Sequence, residues 1–403
     1  MSLITPFAGL RPAPERAADV AAPPYDVMSA AEARRMVEGR PWSFLHISRA
    51  EVDLPEGTDP YASEVYAKAR ANLDAMLAAG VLIRDPAPCY YVYRLTMGGH
   101  RQIGLVASAS VAAYDDGRIK KHEFTRPAKE DDRVRQIEAL SAQTGPVFLV
   151  YRATPAIDDR LAEIGATPPE VDVTAADGVR HELWTLSDPS VIAQLSASFE
   201  ALDALYIADG HHRSAAASRV AAARSKDEGF LSVIFPHDQM RILDYNRVVR
   251  DLNGLAPEDL LERLAASFRV EPSAEPVKPA RSGEFGMYLK GTWYRLTLDP
   301  DRIPGDDPVA RLDVSLLQNH LIGPILGIQD PRRDDRIDFV GGIRGLNALV
   351  QRVDSGEMAL ALALHPTGMD DLMAVADAGH VMPPKSTWFE PKLADGLVSL
   401  VLD

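Results

Sequence analysis

Two rhythms of apolar and polar positions succeed one another along the chain, and their succession predicts the elements. "DPYASEVYAKARANLDAMLAAGVL" (59–82) carries apolar residues at helical spacing and meets a glycine stop at Gly80, which predicts a helix. A β region follows, made of "CYYVYRLTM", a Gly98-Gly99 turn and "RQIGLVASASVAAY". Upstream, residues 1–28 are rich in proline and alanine and read as extended or turn structure, with "AAEARRMVEG" (30–39) as a short helix and "SFLHIS" (43–48) as a strand. Downstream, a charged loop enters a helix near Lys129, "GPVFLVYRA" returns as a strand, and a polar region separates it from "HELWTLS" (181–187) and the helix "PSVIAQLSASFEAL". "ALYIADG" is a short buried strand that runs straight into the helix "HHRSAAASRVAAAR", and "LSVIFPHD" and "RILDYNRVV" continue as strands.

The helix "APEDLLERLAASF" and the linker-like "EPSAEPVKPARSGE" suggest a break, so the chain is divided into a region 1–253 and a C-terminal region 254–403. The latter offers "GMYLKGTWYRLTL", a helix near 312–323, the strand "IDFVGG", a helix near 345–354 and "MALALALHP", and no internal repeat is present. Strands alternating with helices predict a mixed α/β (α+β) protein rather than a bundle or a sandwich.

Composition narrows the functional classes. The 403 residues are 46% hydrophobic and carry a net charge of −15, which argues against broad nucleic-acid or anionic-membrane binding. The single cysteine, Cys89, excludes an intramolecular disulfide framework and suits a reducing, cytoplasmic setting. No apolar run approaches the roughly 20 residues of a membrane-spanning helix, and the N-terminus lacks a basic start followed by an apolar core.

Three stretches could carry chemistry. In "ADGHHRS" a strand meets a helix at Asp209-Gly210, where the first helical N–H groups lack intrahelical partners and the dipole favours an anion. Gly210 permits close backbone approach, and His211, His212 and Arg213 add donors around it. The competing reading makes Asp209 an ordinary N-cap. Adjacent histidines at a helix start do not match the i, i+4 spacing of a zinc site.

In "KKHEFTRPAKEDDR", Lys129 and Arg133 lie four apart on one helix face, and Glu123 beside His122 could act as a general base, although charge-dense loops are commonly solvated surface. In "MPPKSTWFEPKL", Lys385 with Ser386 and Thr387 suits a phosphate or carboxylate, but the spacing is not that of a P-loop; a proline-flanked surface turn is the alternative.

"PPYDV", "KHEFTRP" with "EDDR", "GPVFLVY", "ADGHHR" and "MPPKSTWFEPKL", in this order, resemble the DUF1015 family of bacterial and archaeal proteins. "YIADGHHRSAAA" is also similar to the strand–Asp/Gly–His/Arg–helix signature of the ParB and sulfiredoxin superfamily, which implies a ParB/sulfiredoxin-like core with additional mixed-sheet elements. His211 stands where a sulfiredoxin carries its thiol, and no helix-turn-helix domain of the ParB kind is evident. The Asp-Gly-His-His-Arg of Asp209–Arg213 resembles the motif of free-serine kinases.

That resemblance implies a phosphotransferase acting on a small amino acid, L-serine, with ATP or ADP and Mg2+. Phosphates would sit on Gly210, His211, His212, Arg213 and Ser214, with Lys129 and Arg133 nearby. Glu123, His211 and Asp209 would be catalytic, and Asp209 would also position the metal. His122, Arg126, Lys385, Ser386 and Thr387 would contact the substrate. The alternatives are a nucleotide-binding switch protein that phosphorylates no metabolite, and a phosphoserine-type phosphatase. Partners other than nucleotide and small molecule are not implied, and oligomeric state is left open.

Overall fold

The computed structural model describes residues 2–226 and 229–403. The chain divides into two compact units, Met1–Met240 with Pro391–Asp403, and Arg241–Glu390. Both are mixed assemblies of helices and sheets, so the protein is of the α+β class.

The first unit is organised by a nine-stranded sheet: β1 (Ile4–Thr5), β2 (Tyr90–Met97), β3 (His100–Ser110), β4 (Ile119–Lys120), β5 (Val147–Tyr151), β6 (Val171–Thr174), β7 (Arg180–Leu186), β8 (Leu205–Asp209) and β9 (Gly229–Pro236). Their order is β4-β8-β5-β9-β3-β2-β7-β6, with β1 paired to β3. β2 and β3 form a hairpin whose turn begins at Gly98, where φ is +59°, a value that favours glycine. All five residues of β5 are buried, as expected of a central strand covered on both faces. Tyr90, Leu105, Leu149, Ile207 and Phe230 join one apolar core across these strands.

Its longer helices are α1 (Ser63–Ala78), α2 (Pro127–Leu140), α3 (Pro155–Gly165), α4 (Pro189–Glu200) and α5 (His211–Arg224). α2 lies against both α1 and α5. A second core gathers Phe44, Leu45, Ile47, Leu73 and Met76 under α1. The C-terminal segment returns to this unit: Leu400–Val401 pairs with Ala142–Gln143, and Asp395 bridges to Ala22.

The second unit holds a six-stranded antiparallel sheet of β10 (Tyr245–Val249), β11 (Phe268–Ser273), β12 (Glu284–Leu289), β13 (Thr292–Leu298), β14 (Ile337–Gly341) and β15 (Leu360–Leu364), in the order β11-β13-β12-β15-β10-β14. Helices α6 (Pro257–Leu264), α7 (Gly345–Asp354) and α8 (Met369–Asp377) accompany it.

Several elements differ from their sequence-based expectation. "SFLHIS" is not a strand: Leu45–Ser48 is helical, and Phe44, Leu45 and Ile47 are all buried, so the short apolar run carried no usable period. "VAAY" leaves β3 as a short helix, Val111–Asp115, because the Ser110 side chain accepts from the Ala113 N–H and caps a helix start. The polar region after β5 contains α3, opened by Pro155 and anchored by buried Ile157 and Leu161. The linker-like "EPSAEPVKPARSGE" gives its first residues to β11, and Val277 within it is buried. The division expected at 253/254 falls inside the second unit, because "RILDYNRVV" supplies that unit's own strands: Arg241–Leu243 pairs with Trp388–Glu390, and Tyr245–Val249 is β10.

Candidate functional site

β8 delivers the site. Its ladder with β5 runs in register at Tyr206 and Ile207 and then shifts before Asp209, an irregularity of the kind that re-aims a strand end. Gly210 follows with φ +99°, a conformation that L side chains rarely adopt, and a Cβ there would lie 3.1 Å from Arg213 Nε and 3.3 Å from the Val147 Cα. α5 then begins at His211 with Gly210 as its N-cap and no capping side chain. Asp209 is therefore not the cap. The N–H groups of Arg213 and Ser214 donate to the Gly210 carbonyl at 2.9 and 3.0 Å, while those of His211 and His212 belong to the part of a helix that has no intrahelical acceptor.

Around this turn the first unit gathers most of the residues singled out from the sequence. The His122 N–H donates to His211 Nε2 at 3.4 Å, and the two rings meet edge to face at 4.5 Å. With Nε2 accepting, the His211 proton sits on Nδ1, 3.8 Å from the Glu123 carboxylate. Burial pushes the His211 pKa well down, reinforced by His122, so the ring is neutral. His122 is pushed down to about 4, also by burial, with Asp209 opposing. His212 Nε2 accepts from the Arg126 N–H at 3.0 Å, which ties the loop before α2 to the first turn of α5. Glu123 is half exposed, at 53% of its side chain, and so accessible to a substrate.

Arg213 is turned inward. Its guanidinium donates to the Pro146 carbonyl and, at 3.2 Å, to Asp209 Oδ2, with Asp26 at 4.0 Å. Burial opposes charge on Asp209, but Lys392 and Arg213 outweigh it and hold its pKa down to about 2. Asp395, fully inside, is pushed up to about 7 by burial, with Asp26 adding to the shift and Arg213 and Arg133 opposing it.

Arg133 donates through Nε and Nη2 to Asp132 and stacks 4.0 Å from the Tyr25 ring. Tyr25, Ser48, Arg133, Arg213 and Asp395 line a cavity of about 30 Å3, into which Ser48 Oγ and Arg213 Nε bring buried polar atoms without a partner among the described residues. A polar space of that size suits bound water rather than a nucleotide.

The remaining expected residues are placed as follows. Lys129 Nζ donates to the Tyr61 hydroxyl at 2.9 Å, whereas Arg133 is engaged with Asp132 and Tyr25. The Ser214 hydroxyl is wholly buried and donates to the His211 carbonyl at 3.1 Å. Lys385, Ser386 and Thr387 belong to the second unit, where Lys385 adopts φ +58° and Ser386 Oγ donates to the Pro383 carbonyl at 2.6 Å. Cys89 is buried, and burial raises its thiol pKa, the opposite of what an activated sulfur requires.

Sequence reasoning missed Tyr25, Asp26, Lys392 and Asp395 as members of the charge network. Tyr25, Asp26 and Lys392 lie within stretches that carry the family resemblance, whereas Asp395 has no local signal and is brought in by the returning C-terminal segment.

Fold and site together define an α+β protein with an uncapped, histidine-collared helix N-terminus at a strand-to-helix turn. Over residues 4–315 the chain matches the family described as "Protein of unknown function (DUF1015)", and it belongs to that family.

Among solved structures it is similar to a free serine kinase variant in complex with AMP (13% identity, TM-score 0.36, covering 73% of this chain and 92% of that one). It is also similar to a conserved hypothetical protein from Pyrococcus furiosus (14%, 0.34, 73% and 95%) and to SbnI with C-terminal truncation from Staphylococcus aureus (12%, 0.39, 74% and 87%). No curated protein matches the chain in sequence. Among the described residues no helix is long and apolar enough to cross a membrane.

Proposed function

We propose that this protein is a nucleotide-dependent phosphotransferase that phosphorylates the hydroxyl of free L-serine to give O-phosphoserine. The observation that carries this reading is the uncapped start of α5: a left-handed Gly210 brings backbone close to a ligand, and His211 and His212 follow where helical N–H groups lack acceptors. The resemblance of Asp209–Arg213 to the free-serine kinase motif agrees with it.

In this reading the nucleotide phosphates rest on the first turn of α5, and Arg213 holds that turn from behind through Pro146 and Asp209. Glu123, faced by the Nδ1–H of neutral His211, accepts the proton of the serine hydroxyl. The hydroxyl oxygen bonds to the terminal phosphorus of ATP or ADP, the bond from that phosphorus to its bridging oxygen breaks, and ADP or AMP leaves with the electron pair. Little covalent chemistry is asked of the protein beyond positioning and charge stabilisation.

Mg2+ bound with nucleotide is commonly held by one or two carboxylates, with phosphate oxygens and water completing its shell. Asp209, 41% exposed and held ionised, fits as such a single handle, while no group of three His, Cys, Asp or Glu suited to a metal occurs among the described residues. Mg2+ there would neutralise phosphate charge.

The test is incubation of the purified protein with L-serine, Mg2+ and either ATP or ADP, with mass-spectrometric detection of O-phosphoserine. Product is expected with one of the donors, and Glu123→Gln should bind nucleotide yet lose roughly 100-fold or more in turnover, the usual scale for a general base. Nucleotide binding with no product from either donor would replace this reading by a switch protein.

A further inference from the structure

The second unit contains a cavity of about 300 Å3, at the lower end of the roughly 300–1,000 Å3 range of small-molecule sites. Apolar side chains make up most of its wall, among them Val309, Val314, Ile322, Phe339 and Pro383. Arg247 lines it too, although only 4% of that residue is exposed.

The guanidinium donates to the carbonyls of Tyr245 and Pro384 and, at 3.1 Å, to that of Lys385, and it lies 4.8 Å from the Phe339 ring centre. Among the described residues no carboxylate lies within ion-pairing distance of it. Three carbonyls satisfy donors but supply no counter-charge, and a buried cation left without one is costly. Burial brings its pKa down to about 10, with Tyr245 opposing.

The turn that cups Arg247 is the "MPPKST" stretch. Its carbonyls are aimed at the arginine, with Lys385 in the left-handed region and Ser386 Oγ bonded back to Pro383. One acid, Asp307, also lines the cavity. It is exposed, and its carboxylate accepts from the Val309 and Ala310 N–H groups at 2.8 and 2.9 Å. One buried cation, one acid engaged with its own turn and a mainly apolar wall favour a singly charged ligand with an apolar body over a phosphate dianion.

We propose that this cavity binds a small monocarboxylate with a compact apolar body, its carboxylate paired with Arg247. The site lies within the second unit and is independent of the phosphotransferase reading.

Calorimetric titration of the full chain with hexanoate and with its neutral isostere hexanamide tests it. Hexanoate should bind roughly tenfold or more tighter than hexanamide, the worth of a charge-assisted hydrogen-bonded pair. Arg247→Met should erase that preference. Ala310→Phe, which fills the cavity from a lining residue not bonded to Arg247, should abolish binding of both. Equal affinity for the two probes in the wild type, no binding of hexanoate, binding of inorganic phosphate that is tighter than that of hexanoate and is lost in Arg247→Met, or hexanoate binding unaffected by Ala310→Phe would each overturn the proposal.

Discussion

Each unit buries one arginine to less than a tenth exposed, Arg213 at 9% and Arg247 at 4%, and the two are surrounded in opposite ways. Burial would lower the pKa of Arg213, but Asp209, Asp26, Tyr25 and Asp395 outweigh it and hold the guanidinium above its ordinary value. Arg247 has only backbone carbonyls and an aromatic face, and burial prevails. The first arginine is internally neutralised and stiffens a turn whose outer side carries the open N–H groups. The second is a charge whose counter-ion the protein does not supply. The comparison separates two uses of a buried cation: one supports a site, and the other is itself half of one.

The contrast has consequences for stability. Arg213→Met leaves the Asp209 and Asp26 carboxylates around a vacated charge and should cost roughly 3–5 kcal/mol, the scale for breaking a buried ionic network. Arg247→Met strands carbonyls but no charge, so it should cost about 1–3 kcal/mol. Urea unfolding of both variants reads the difference. Equal losses would erase the distinction.

A smaller effect is expected in the pH dependence. Asp395 keeps its proton in the folded protein up to about pH 7, whereas an unfolded aspartate releases it near 4. Between those limits the folded state holds more protons, so this residue makes stability fall as pH rises. His122 and His181, both pushed down to about 4 chiefly by burial, act oppositely: the unfolded imidazole is protonated below about 6.5 and the folded one is not, so stability rises with pH over that window. Asp395→Asn removes the falling contribution and should therefore make the slope of stability against pH between 4.5 and 6 more positive by about 1.4 kcal/mol per pH unit. An unchanged slope would show that Asp395 ionises normally and that the pocket behind Arg213 is better solvated than its burial implies.

The legible and illegible parts of the molecule divide along physical lines. β8, Gly210 and α5 could be read because a short apolar strand, a glycine and a run of small helix formers are local signals. Glu123 and His211 are 88 positions apart, and only residue type linked them; the structure sets them 3.8 Å apart. Helical spacing relates Lys129 to Arg133, but not to the Tyr61 hydroxyl that its ammonium reaches, a partner 68 residues away that no periodicity reveals. Lys385 drew notice as a cation, while the chemistry of its turn lies in carbonyls directed at Arg247, and backbone direction leaves little trace in residue identity. α3 had a readable signal in Pro155 and the four-residue spacing of Ile157 and Leu161, obscured by the charged residues around them.

In the proposed function the first turn of α5 is a phosphate cradle. Its most direct measurement is calorimetric titration of ATP and ADP into the wild type and into His212→Ala, a half-buried position whose loss leaves the Arg213 network in place. The wild type should bind nucleotide, and affinity should be at least roughly tenfold weaker in the variant, the cost expected when one charge-assisted contact is lost. Equal affinity in a variant that unfolds with the wild-type midpoint would contradict it.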